Sequence, residues 1–163
     1  MGLLDVFFKS KKSNLFDEIT NKIAEEEKKK TILKSPFLKV QSLTLNRDNL
    51  FCFVLATFCF ELEFNPKFKS VRLKKEYSDL IEKIRAYEAF QLIYKAMLDY
   101  YHGKSTNPTS HWNITYIYLE KVWGIKERVR DPVLLTVYSV YLTKIRITMK
   151  EEFENLMSSM LEP

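Results

Sequence analysis

Glycine is nearly missing from this chain, with three in 163 residues, at Gly2, Gly103 and Gly124. A chain so poor in glycine makes few left-handed turns and cannot wrap bare backbone around a phosphate, which excludes most hairpin-rich and nucleotide-binding architectures. Cysteine is scarce as well. Cys52 and Cys59 share one apolar run, and on a helix rising about 1.5 Å per residue their backbones stand about 10 Å apart, too far for a disulfide. Two unbridged thiols acting as small core hydrophobes suit a reducing cytoplasm. No apolar stretch reaches the ~18–20 residues of a membrane span; the longest is Leu50–Phe60. Residues 1–12 place apolar positions before lysines, the reverse of a secretory leader.

What the chain does contain is bulk. Apolar residues make up 46% and aromatics 14%, with 12 Phe and 9 Tyr, which excludes disorder and foretells a core of large flat side chains. The length fits one domain with enough chain to bury such a core. A net charge of +5 permits an acidic partner without demanding one.

Helical punctuation and periodicity divide the chain. Asn14 can cap a helix over 14–34, with Leu15, Phe16, Ile19 and Ile23 on one face. Within it Glu25, Glu26 and Glu27 precede Lys28, Lys29 and Lys30, so Glu25–Lys29 and Glu26–Lys30 are favourable i,i+4 pairs, and the block is expected to lie in solvent. Residues 46–64 are apolar on all sides from Leu50 to Phe60, the pattern of a buried helix or a buried strand; helix is preferred because no partner hairpin is in sight. A single long helix is expected over 71–102. Its stripe runs Leu73, Tyr77, Leu80, Ile84, Tyr87, Gln91, Tyr94, Leu98, Tyr101, with a second through Phe90 and Met97, making it the expected organising element. Residues 110–123 put Trp112, Tyr116, Leu119 and Trp123 on one face and stop at Gly124. Asp131-Pro132 then opens a final helix running to about Leu161. The fold expected is an all-α, single-domain bundle of about five helices over 13–163, preceded by a short amphipathic basic segment over 1–12.

Two stretches carry candidate contacts. In the first, Leu3, Leu4, Phe7 and Phe8 align on one side of a short helix, followed by Lys9, Lys11 and Lys12. Docking on its own bundle or on a second copy is the preferred reading of such a segment; apolar insertion plus attraction to anionic headgroups, which would hold it at a membrane surface, is the alternative. The second is the densest basic cluster, Lys67, Lys69, Arg72, Lys74 and Lys75, flanked by Phe64 and Phe68. It could meet phosphates or an acidic surface, or be neutralised by the acid-rich tail with Glu151, Glu152, Glu154 and Glu162.

Other motifs fall short of chemistry. Gly103-Lys104-Ser105-Thr106 resembles the end of a phosphate-binding loop, but Leu98 stands where the pattern needs glycine and a helix precedes it. Asp99 and His102 lie one turn apart, a single incomplete copy of a carboxylate–histidine motif. His111 has no identifiable nucleophile partner, and Glu61 and Glu63 point apart on a helix. No catalytic, cofactor or metal residue is assigned. The expected function is therefore a non-catalytic helical interaction protein of the cytoplasm. It would self-associate or bind another protein through aromatic- and Met-rich helix faces, with residues 1–12 as a peripheral contact to the inner membrane surface. The alternatives are a nucleic-acid-binding bundle using 67–75 and a bundle that binds an apolar ligand or acts as an enzyme.

Overall fold

The computed structural model describes residues 15–29, 44–103, 112–125 and 131–163. Six α-helices lie among them: α1 (Leu15–Lys28), α2 (Arg47–Phe64), α3 (Lys75–Arg85), α4 (Glu88–Tyr101), α5 (Trp112–Trp123) and α6 (Pro132–Met160), with a short 3₁₀ turn at Pro66–Phe68. The all-α bundle expected from periodicity is the fold. The segment 1–12 lies outside the described residues.

The organising element is α2, not the 71–102 region. Every residue from Leu50 to Phe60 is buried, and α2 packs against all five other helices. That is why its sequence is apolar on every side: a central helix has no solvent face. Asn46 caps it, its side chain accepting from the Asn49 N–H at 3.0 Å. The same start ties down the end of α5, where the Asn46 N–H and the Asn49 amide donate to the carbonyls of Val122 and Lys121, both at 2.7 Å. These are carbonyls that a helix end leaves without an internal partner. Cys52 and Cys59 are free and buried in α2, and desolvation pushes their thiols up to about 12 and about 11.

The expected single helix over 71–102 is two helices and an extended lead. Arg72–Lys74 run beside the chain end instead: Leu73 pairs antiparallel with Leu161, Lys74 N–H donates to Met160 O at 2.8 Å, and Glu162 N–H to Arg72 O at 2.9 Å. The chain then breaks at Ala86 and Tyr87, with Tyr87 in extended backbone. Gln91, the one polar member of the expected stripe, donates its amide to Arg85 O at 3.1 Å and so satisfies a carbonyl that the break exposes. Phe90, Ile93 and Met97 of α4 are buried, while Tyr87 is only half-buried.

Helix α5 turns a different face inward from the one expected. Leu119 and Trp123 are buried, but with Ile114, Thr115, Tyr118 and Val122; Trp112 and Tyr116 sit half-buried at the edge. Gly124 stops α5 at φ +66°, the left-handed backbone that glycine adopts without penalty. Asp131 caps α6 by accepting from Val133 and Leu134 N–H, with Pro132 at the first helical position. The buried side of α6 follows the expected stripe, Leu135 through Phe153 to Met160, with Leu156 half-buried and Met157 buried beside it. Phe16, Phe58 and Phe153 join α1, α2 and α6 edge to face, with centroids 4.8 and 5.0 Å apart about Phe58.

Candidate functional site

Helix α6 is the longest of the six, and its flanks carry three features. The first is an outward stripe. From Pro132 to Thr143 the helix has no charged residue, yet its outer face meets solvent. Val133 is 72% exposed, Val137 45%, Val140 53% and Ile147 54%. With Lys144 these positions repeat at spacings of four and three, so they form one line along the helix opposite the buried stripe.

The second feature is a groove of about 240 Å³ between α4, α5 and α6. Ile114, Leu142, Val140 and the Tyr100 ring supply its apolar walls, and Tyr100, Thr115, Thr136, Ser139 and Thr143 its hydroxyls; among the described residues Arg146 is the one charged residue lining it. The Arg146 guanidinium carbon lies 5.4 Å from the centre of the Phe60 ring. Its Nε is buried and has no hydrogen-bond partner among the described residues. Burial lowers its proton affinity, opposed chiefly by the charge of Glu61.

The third feature is a buried carboxylate. Glu27 of α1, expected in a solvated charge run, is fully buried. Its Oε2 accepts from Trp123 Nε1 of α5 at 2.7 Å and from the Tyr138 hydroxyl of α6 at 2.6 Å. Desolvation first, and then the Glu27 charge, hold the Tyr138 and Tyr118 hydroxyls far above the ordinary tyrosine range. One acid thus ties three helices together. Its position was legible in the spacing Phe16, Thr20, Ile23, Glu27, which continues the inward face of α1. Of its neighbours, Glu25 pairs with Lys28 at 3.1 Å rather than with Lys29.

The basic cluster is partly spent inside the fold. Lys67 pairs with Glu154 at 2.7 Å, which holds the Glu154 carboxyl below its ordinary range. Lys74 Nζ donates to Ser159 O at 2.6 Å, at the C-terminal end of α6 where a cation is favoured. Lys69, Arg72 and Lys75 remain exposed. Asp99 and His102 are not drawn into a site; the His102 ring packs against Phe64 at 5.8 Å and Tyr101 at 5.3 Å. Glu63 accepts from the Tyr94 hydroxyl and Glu61 from the Asn65 amide, so the two acids serve separate contacts. Gly103 stands at φ +60° just past the end of α4; residues 104–111, which include the remainder of that loop motif and His111, lie outside the described residues. Among the described residues no three His, Cys, Asp or Glu side chains gather as a metal site, and no helix is long and apolar enough to cross a membrane.

The class defined by this geometry is an all-α bundle with a central buried helix. No protein-family model, no curated protein and no solved structure matches the chain.

Proposed function

We propose that the chain is a non-catalytic interaction protein that self-associates through the outward stripe of α6. The observation that supports this is a line of four exposed large apolar side chains on the longest helix, three of them in its charge-free stretch Pro132–Thr143 and the fourth, Ile147, beyond it. Water-facing helices ordinarily carry charge there. The spacing also suits a second copy. Val133 and Ile147 each stand two turns from Val140, so a twofold axis at Val140 sets Val140 against its own copy and Val133 against Ile147. Such an isologous, antiparallel contact is the commonest route to a homodimer. In that register Lys144 meets Thr136, so no like charges oppose one another and the lysine stem can cover apolar surface. A cytoplasmic setting, with residues 1–12 touching an anionic membrane surface, belongs to the same reading and rests on the sequence of that segment.

Sedimentation equilibrium tests it. The wild-type chain is expected to be a dimer. Val140→Asp, which sets two carboxylates face to face, is expected to weaken the dimer at least about a hundredfold while leaving thermal unfolding of the subunit nearly unchanged. A wild-type chain that stays monomeric as concentration rises, or a Val140→Asp dimer as tight as wild type, contradicts the proposal.

A further inference from the structure

We propose that the groove between α4, α5 and α6 binds a short-chain organic monocarboxylate, held by the Arg146 guanidinium and the Thr115–Ser139 hydroxyl pair. The inference starts from an unbalanced charge. Arg146 lies over the Phe60 ring with a buried, unpartnered Nε, and no carboxylate among the described residues is within ion-pair distance of it. Glu61, the acid that influences it, accepts from Asn65 at 3.1 Å and acts from further off. A half-desolvated cation without a counter-ion has lost hydration and gained only a ring face, so an anion arriving there restores what burial removed.

A count of hydroxyl protons narrows the ligand. Thr136 donates to Pro132 O at 2.7 Å and Thr143 to Ser139 O at 2.9 Å, so neither has a proton to offer. Thr115 and Ser139 share one hydrogen bond at 2.7 Å; only one of them donates in it, which leaves the other's proton free. With the Tyr100 hydroxyl, which also lines the groove, the Arg146 guanidinium and the one free proton of the Thr115–Ser139 pair form a donor set suited to a carboxylate. Among the described residues Arg146 is the sole charge lining the groove, so a phosphate dianion would remain half-compensated. The walls of Ile114 and Leu142 ask for an apolar body. A space of about 240 Å³ is below the ~300–1,000 Å³ of sites for drug-sized ligands, so that body is short. The groove shares Val140 and Thr136 with the proposed dimer contact, but Arg146, Thr115 and Ser139 lie off the outward stripe, so variants at these positions test the groove apart from self-association.

The test titrates the full chain with hexanoate and, separately, with 1-hexanol, following backbone amides by ¹⁵N–¹H correlation spectra. Hexanoate is expected to shift the amides of Thr115, Ser139 and Arg146 saturably, with 1-hexanol at least about tenfold weaker. Arg146→Gln is expected to weaken hexanoate by about tenfold or more and to leave the sedimentation behaviour unchanged, which separates this site from the dimer contact. Ser139→Ala keeps the guanidinium in place and is expected to weaken hexanoate several-fold, so the assignment stays testable if Arg146→Gln does not fold. Equal binding of hexanoate and 1-hexanol, shifts confined to other parts of the chain, no binding, or unchanged hexanoate affinity in either variant would overturn the proposal.

Discussion

Glu27→Ala is expected to destabilise the folded chain by about 2–5 kcal/mol, although the substitution removes a residue from a run of six charges. The reason is what it leaves behind. Trp123 Nε1 and the Tyr138 hydroxyl both point at Glu27 Oε2, at 2.7 and 2.6 Å. A buried donor stripped of its acceptor costs about 1–3 kcal/mol, and here there are two. The lost tie also joins α1 to α5 and α6, so it acts between elements far apart in the chain. Glu27→Gln keeps one acceptor oxygen and is expected to cost less. Urea unfolding of Glu27→Ala in the wild type and in a Trp123→Phe/Tyr138→Phe background measures the coupling directly. The penalty should shrink in that background, where the two donors that Glu27 satisfies are gone. A change within about 0.5 kcal/mol in the wild type would place Glu27 in solvent.

Phe58→Ala is expected to cost about 3–5 kcal/mol. Phe58 is wholly buried at the middle of α2, with Phe16 of α1 on one side and Phe153 of α6 on the other. Truncation leaves a cavity where three helices meet, and neighbours held in edge-to-face contact can collapse into it only partly. Folded domains are stable by only ~5–15 kcal/mol, so this loss is a large share of the whole. Phe90→Ala in α4 belongs to the same class, since Phe90 is also buried. Tyr87→Ala is expected to cost clearly less, because Tyr87 is half-buried at the break between α3 and α4. Urea midpoints for the three variants should rank in that order, with Tyr87→Ala nearest wild type. Equal losses at Tyr87 and Phe58 would mean that α2 does not organise the core.

The contrast between these residues shows what local sequence can carry. Caps and stops speak for themselves: Asn46, Gly124 and Asp131-Pro132 each mark a helix end by chemistry confined to a few residues. The apolar run of α2 is read as helical because an unpaired buried strand would waste its backbone groups. The α3–α4 break has no such marker. No proline or glycine sits at 86–87, and the sign of the break is Gln91, whose amide answers a carbonyl six residues back. The apolar spacing continues through the gap, but the buried side does not: α3 buries Leu80 and Ile84 of the first stripe, whereas α4 buries Phe90, Ile93 and Met97 of the second.

Glu27 failed to stand out for a different reason. Its partners are 96 and 111 residues away, and a charge run gives no hint of them. The inward spacing of Phe16, Thr20 and Ile23 was the available signal, and the acid type masked it. Arg146 is similar, an ordinary basic residue among others on α6 until Phe60 and the hydroxyls are set around it. The outward stripe was readable in principle. Val133, Val137, Val140 and Ile147 follow the same four-and-three spacing as the buried stripe, so a helix with two apolar faces was written in the letters of 132–149. The basic cluster shows the reverse. Five cations crowd into nine positions, yet Lys67 and Lys74 turn back to Glu154 and Ser159 at the far end of α6.

Cysteine cross-linking at position 140 tests self-association most directly. The native thiols are buried and held up near 12 and 11, so they take little part in oxidation at neutral pH. Val140→Cys adds an exposed thiol at the proposed twofold axis, where its copy stands opposite. Mild oxidation is expected to give a disulfide-linked dimer from Val140→Cys alone, and a mixed dimer when Val133→Cys and Ile147→Cys chains are combined. A Val140→Cys chain that reacts readily with a small thiol reagent yet stays single on oxidation would contradict the dimer.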